Sequence, residues 1–186
     1  MSKTPEIPAP GGRIVEDRAF KAVNIAVLTV SDTRTEENDT SGHILAERVK
    51  SAGHNLVAKE IVTDNQTIIE HIVGDWIRDP NIDVVLTTGG TGLTGRDVTP
   101  EAIRPLFEKE IDGFNTIWHL VSYQSVGLST LQSRACAGVA NATFIFALPG
   151  SNGACKDGWD KIIRWQLDSR HAPCNMVELM PRLLEK

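Results

Sequence analysis

The sequence has no concentration of positive charge: 19 Lys and Arg stand against 24 Asp and Glu, for a formal net charge of −5. Phosphate backbones are bound through a basic face, so nucleic acid is excluded as the expected partner. An anionic ligand would have to be held by backbone N–H groups and a few well-placed cations. Cysteine is scarce and scattered. Cys136, Cys155 and Cys174 form no Cys-x-x-Cys pair, which argues against a disulfide framework or zinc site and for reduced thiols in the cytosol. His43, His54, His71, His119 and His171 show no metal-ligand spacing either. No apolar run approaches the roughly 20 residues needed to cross a bilayer, and no internal repeat is found. The first twenty residues carry Pro5, Pro8, Pro10, Gly11 and Gly12 without the apolar stretch of a signal peptide. Residues 1–20 are therefore expected to be a flexible arm and 21–186 a single domain, soluble and cytoplasmic, with no membrane partner.

What is present is a 41% hydrophobic content, enough for a full core in 186 residues, arranged in a recurring pattern. Val23–Val30, Val84–Thr88 and Thr143–Leu148 are nearly continuous apolar runs, as expected of strands buried on both faces of a parallel sheet. Asn55–Val62 alternates and suits an edge. Between these runs, Gln66–Arg78 places Ile68, Ile69, Ile72, Val73, Trp76 and Ile77 on one helical face. Thr63-x-x-Gln66 has capping-box spacing before it. A second helix is expected over Ser41–Ala52, stopped by Gly53, a third from Pro100, and a late one over Ala154–Leu167. Strands alternating with helices predict an α/β protein, a three-layer α/β/α sandwich with a mostly parallel sheet. Ligands of such sheets bind beyond the carboxyl ends of the strands.

The loops expected at that edge are rich in glycine, hydroxyl and aspartate: Ser31–Gly42, Thr63-Asp64, Thr88–Pro100 and Leu148–Ser151. Gly90-x-Gly92-x-x-Gly95 follows a strand and matches a dinucleotide fingerprint, but Pro100 starts the next helix beyond the glycines and no acidic strand end follows. A nicotinamide-dependent oxidoreductase is thus the remotest reading. Gly90-x4-Gly95 also mimics a P-loop, yet Arg96-Asp97 replaces Lys-Ser/Thr. Two accounts of this loop remain: an anion-cradling nest of N–H groups, or a turn using glycine for positive φ.

Asp64 and Asp97 follow strand ends near that loop. A carboxylate beside phosphates repels them unless a divalent cation intervenes, so the pair suggests Mg²⁺-assisted phosphoryl or nucleotidyl transfer. The plainer account is that each caps a helix. Ser133-Arg134 could offer a hydroxyl and a guanidinium to a phosphate, or simply form a surface ion pair. Cys155 near a helix start is a weak candidate for a reactive thiol. Trp76, Trp118, Trp159 and Trp165 fall in helical patterns and suit core or subunit contacts.

Taken together, Thr88-Gly-Gly-Thr-Gly92, Arg96-Asp-Val-Thr-Pro-Glu-Ala102, Ser133-Arg134 and Leu148-Pro-Gly-Ser151 resemble, in this order between Val23 and Met176, the molybdopterin-binding family. The stretches Asp39-Thr-Ser-Gly42 and His171-Ala-Pro-Cys-Asn175 are most similar to its bacterial B-type branch. The resemblance implies a role in molybdenum cofactor biosynthesis with other proteins of that pathway. The family's chemistry is adenylylation of molybdopterin by Mg-ATP, with release of pyrophosphate; the alternative is a member that binds or carries pterin without transfer. By resemblance, Asp64 and Asp97 would be catalytic and carry Mg²⁺ through the phosphates. Thr88, Gly89, Gly90, Thr91, Gly92, Ser133, Arg134, Pro149, Gly150 and Ser151 would hold pterin and phosphate. A homotrimer or homohexamer is implied, with the apolar Phe114–Val121 helix as the candidate subunit contact.

Overall fold

In the computed structural model, which describes residues 11–185, the apolar runs become strands with almost the expected limits. They are β2 (Asn24–Val30), β3 (Asn55–Val62), β4 (Val84–Thr88) and β7 (Thr143–Leu148), joined in the order β3-β2-β4-β7 with all neighbours parallel. The alternating β3 is an edge strand, as its pattern predicts. Two further strands extend the other side: β6 (Cys136–Ala140) pairs antiparallel with β7, and β5 (Lys109–Glu110) pairs antiparallel with β6. The sheet is therefore mostly parallel.

Alternation along β2 divides the core. Ile25 and Val27 face a layer formed by α1 (Thr40–Ser51), α4 (Asp112–Val126) and α5 (Asn152–Gly158), which bury Leu45, Val49, Trp118 and Cys155, with Trp159 just beyond α5. Ala26, Leu28 and Val30 face α2 (Gln66–Arg78) and α3 (Thr99–Ile103), which bury Ile69, Val73, Trp76, Ala102 and Ile103. The α/β/α sandwich follows from this two-sided burial. α5 continues through a π-helical segment, Trp159–Ile163, into α6 (Arg164–Gln166), where one continuous helix was expected. α7 (Met176–Leu179) closes the chain over the first layer. Among the described residues no helix is long and apolar enough to cross a membrane, and all three cysteines are unpaired.

Helix starts explain why the sequence folds locally as it does. The Asp39 carboxylate accepts the Gly42 N–H at 2.9 Å and the Thr29 hydroxyl at 2.9 Å, fixing α1 onto β2. A Cβ at Gly42 would lie 2.1 Å from Asp39 Oδ2, so this position needs glycine. α2 is capped by Asn65, which accepts the Ile68 N–H at 3.1 Å, and not by the expected Thr63–Gln66 box. Part of the expected arm has a partner. Residues 1–10 lie outside the described residues, but β1 (Arg13–Ile14) pairs antiparallel with β8 (His171–Ala172). Val15 N–H further donates to Arg170 O at 2.9 Å, because an extended segment beside β8 satisfies its backbone groups there.

Register then fixes the working edge. Val30 is level with Val62, Thr29 with Thr88, and Thr88 with Leu148, so four strands end together. The glycine-rich and aspartate-bearing loops all emerge at this edge.

Candidate functional site

The loops after β4 and β7 converge on a cleft of about 600 Å³. Gly89, Gly90, Thr91, Gly92, Asp97, Ser133, Pro149, Gly150 and Ser151 line it, so most of the expected binding residues meet in one place. Its far wall comes from α4 and the turn after it, including Ser122, Ser125, Ser129 and Thr130.

The glycine loop is held by contacts that admit no side chain. Gly89 has φ +102° and Gly90 φ +66°, and a Cβ on Gly89 would lie 2.1 Å from Val30 O. Gly89 N–H donates to Leu148 O at 3.0 Å, while Thr99 Oγ1 donates to Gly89 O at 2.8 Å. A Cβ at Gly92 would come within 2.7 Å of Asp97 Oδ2. Gly95, the last glycine of the dinucleotide pattern, has open space around its Cβ position and is under no such demand. The third helix starts at Thr99, beyond the glycines, so the fingerprint's helix–phosphate geometry is not formed.

Thr88 is fully buried at the loop's root. Its hydroxyl donates to Pro149 O at 3.2 Å and lies 3.1 Å from Cys155 Sγ, tying the two lining loops together. Burial pushes the Cys155 thiol up to about 11, which removes it as a reactive nucleophile. Arg134 is committed to bracing the loop. Nε donates to Gly92 O at 2.7 Å, Nη2 to Asp97 O at 2.7 Å, and Nη1 pairs with Glu101. Ser133 Oγ accepts the Trp118 indole N–H at 3.0 Å, and Ser151 caps α5 by accepting the Ala154 N–H at 3.1 Å.

The two expected carboxylates occupy opposite sides of the loop, and neither is a helix cap. Asp97 Oδ2 accepts the Thr94 hydroxyl at 2.6 Å and the Thr94 N–H at 2.9 Å, and α3 begins after Val98 without a side-chain cap. Burial raises its pKa, but the Thr94 bonds, the Gly92 N–H and the Arg134 charge outweigh that and hold it below the usual carboxylate range. Asp64 stands at the end of β3, with Oδ1 3.4 Å from the position of a Cβ on Gly90. Burial and then the Asp32 carboxylate push it above the usual range, and Asp97 adds to the effect. Asp97 lines the cleft and Asp64 does not, but each is a hard oxygen donor of the kind that carries Mg²⁺ together with ligand phosphates. They do not fit a protein-only cage: no group of three metal-ligating side chains exists among the described residues.

The family of probable molybdopterin binding domains matches residues 26–169, the span that contains every element of this cleft. The chain belongs to the molybdopterin-binding family. Among curated relatives of this molybdopterin-binding domain, molybdenum cofactor biosynthesis protein B of Escherichia coli K12 is 52% identical over 156 residues, covering 84% of this chain and 92% of that protein. Its namesake in Bacillus cereus is 44% identical, covering 78% and 87%. A crystal structure of a molybdenum cofactor biosynthesis protein B superposes with TM-score 0.78 at 43% identity, covering 81% and 94%. A tungsten cofactor synthesizing protein from Pyrococcus furiosus gives TM-score 0.69 at 38% identity, covering 76% and 91%.

The domain also contains site residues that sequence reasoning passed over. Thr94 anchors Asp97, Asp32 engages Asp64, and the α4 hydroxyls build the far wall. Asp32 and Thr94 carried a signal, since each lies in a loop that leaves a strand at the same sheet edge; the α4 hydroxyls carried none.

Proposed function

We propose that this chain acts in molybdenum cofactor biosynthesis in the cytoplasm, binding molybdopterin in the glycine-lined cleft and adenylylating it with Mg-ATP. Its family membership supports the pterin; the observation that supports transfer is the pair of carboxylates flanking one glycine-rich loop. The loop's backbone N–H groups would hold phosphate oxygens, and the hydroxyls of the α4 wall would hold the polar heterocycle. The molybdopterin phosphate oxygen attacks the α-phosphorus of ATP, the bond to the β-phosphate oxygen breaks, and pyrophosphate leaves. Asp97, held charged by Thr94, and Asp64 across the loop would carry Mg²⁺, which neutralises the triphosphate. This chain's own contribution is positioning and charge. The exposed Ile117, Leu120, Tyr123 and Val126 on α4 support association into a homotrimer or homohexamer.

A second reading, binding without transfer, is favoured by one observation: Arg96 and Arg134 are both committed to carboxylates, which leaves the cleft's anion binding to backbone groups. Pyrophosphate release from ATP decides between the two. Release that needs Mg²⁺ and molybdopterin together supports transfer. Tight molybdopterin binding with no release replaces it by the binding reading. A nicotinamide fluorescence change on titration would contradict both.

A further inference from the structure

Asp32 and Asp64 end adjacent parallel strands and hold each other by reciprocal bonds. Asp32 N–H donates to Asp64 Oδ2 at 2.9 Å, and Asp64 N–H donates to Asp32 Oδ1 at 3.1 Å. The second oxygen of Asp32 accepts Arg96 Nε at 2.9 Å, and Arg96 Nη2 also pairs with it. Arg96 belongs to the glycine-rich loop, so three loops of the edge are joined through one carboxylate. Asp64 Oδ2 is thereby fixed, and Oδ1 is left beside Gly90, 3.4 Å from where a Cβ on that glycine would lie.

This arrangement carries an electrostatic requirement. Two carboxylates that each bond the other residue's backbone N–H lie close enough to repel unless a cation offsets them. Arg96 meets that requirement by donating from both Nε and Nη2 to Asp32. We propose that Asp32 and Arg96 are positioning residues of the transfer site: Asp32 aims the Asp64 carboxylate at the glycine loop, and Arg96 makes the paired carboxylates tolerable. The inference rests on the transfer reading above. Its charge logic is specific: Arg96 is needed because Asp32 is charged, not because phosphate needs a guanidinium.

A double-mutant cycle separates the two. Arg96→Ala leaves the carboxylate pair without its cation, so Asp64 shifts and kcat for pyrophosphate release falls about 10- to 100-fold. The KM for ATP stays within about twofold. Asp32→Asn keeps an oxygen to accept the Asp64 N–H but removes the repelling charge. The double variant Asp32→Asn/Arg96→Ala therefore recovers most of the lost kcat. A readout independent of turnover accompanies it: amide hydrogen exchange at Asp32 accelerates in Arg96→Ala and slows again in the double variant. If the double variant stays as impaired as Arg96→Ala, with a raised KM for ATP, Arg96 grips phosphate directly and the proposal is wrong. Should the wild type release no pyrophosphate, the transfer reading fails by itself and the exchange arm decides the clamp. Unchanged exchange across all variants overturns it.

Discussion

Asp97 and Asp64 stand on either side of the same glycine loop, and their surroundings act on them in opposite directions. Asp97 sits inside a loop that aims donors at it, from Thr94 and the Gly92 N–H, with Arg134 braced behind. Asp64 sits at a strand end beside a second carboxylate, with its cation one residue removed on Asp32. The difference teaches that one residue type at one sheet edge can be shifted in opposite directions by its neighbours. Asp97 is an anchored charge, whereas Asp64 keeps its charge less easily.

The glycine loop keeps these two sides apart, so the sharpest way to break the comparison is to add a carbon to it. Gly89→Ala would put a methyl 2.1 Å from rigid Val30 O at φ +102°, and should cost about 3 kcal/mol in chemical unfolding. Gly95→Ala, with open space around it, should change stability by no more than about 0.5 kcal/mol. Gly92→Ala acts on one side alone. Its methyl would meet Asp97 Oδ2 at 2.7 Å, so turnover should fall about 100-fold while the fold survives, as read by pyrophosphate release and thermal unfolding. Thr94→Val removes the 2.6 Å hydroxyl bond but leaves the N–H bond, and a loss of about tenfold in turnover is expected.

The smallest effect is a difference of sign in stability against pH. Asp97 has a lowered folded pKa, so its stabilisation is present above the unfolded value and is lost as pH falls through the folded one. Asp64 has a raised folded pKa, so its contribution is present below the unfolded value and is lost as pH rises through the folded one. Thermal midpoints of the metal-free protein between about pH 3.5 and 7 should therefore tilt oppositely in the two Asn variants. Relative to the wild type, Asp97→Asn loses stability towards neutral pH and Asp64→Asn gains it. Tilts of the same sign would erase the distinction between the two sides.

The parallel strands were legible because burial on both faces demands continuous apolar runs, and β2, β4 and β7 have them. β6 was not, since Cys-Ala-Gly-Val-Ala is small and only one residue is β-branched. Gly138 is required there because Phe107 packs directly on it, a contact distant in sequence. The site was legible as a set of loops at one edge, for the register of four strands delivers them together. Its internal wiring was not. Thr63 rather than Asn65 looked like the α2 cap, and Asp97 looked like a cap for the helix at Pro100, because spacing alone does not tell which oxygen reaches an N–H. Arg134 bonds Gly92, Asp97 and Glu101, partners far from it in sequence that meet it because β6 lies beside β7.

If the cleft binds molybdopterin and Asp97 serves adenylyl transfer, the two functions separate at one residue. The most direct test follows molybdopterin binding and pyrophosphate release together in Asp97→Asn. The account predicts binding within a few-fold of the wild type and turnover reduced by about 100-fold or more. Turnover close to the wild type, or loss of binding and turnover in parallel, would contradict it.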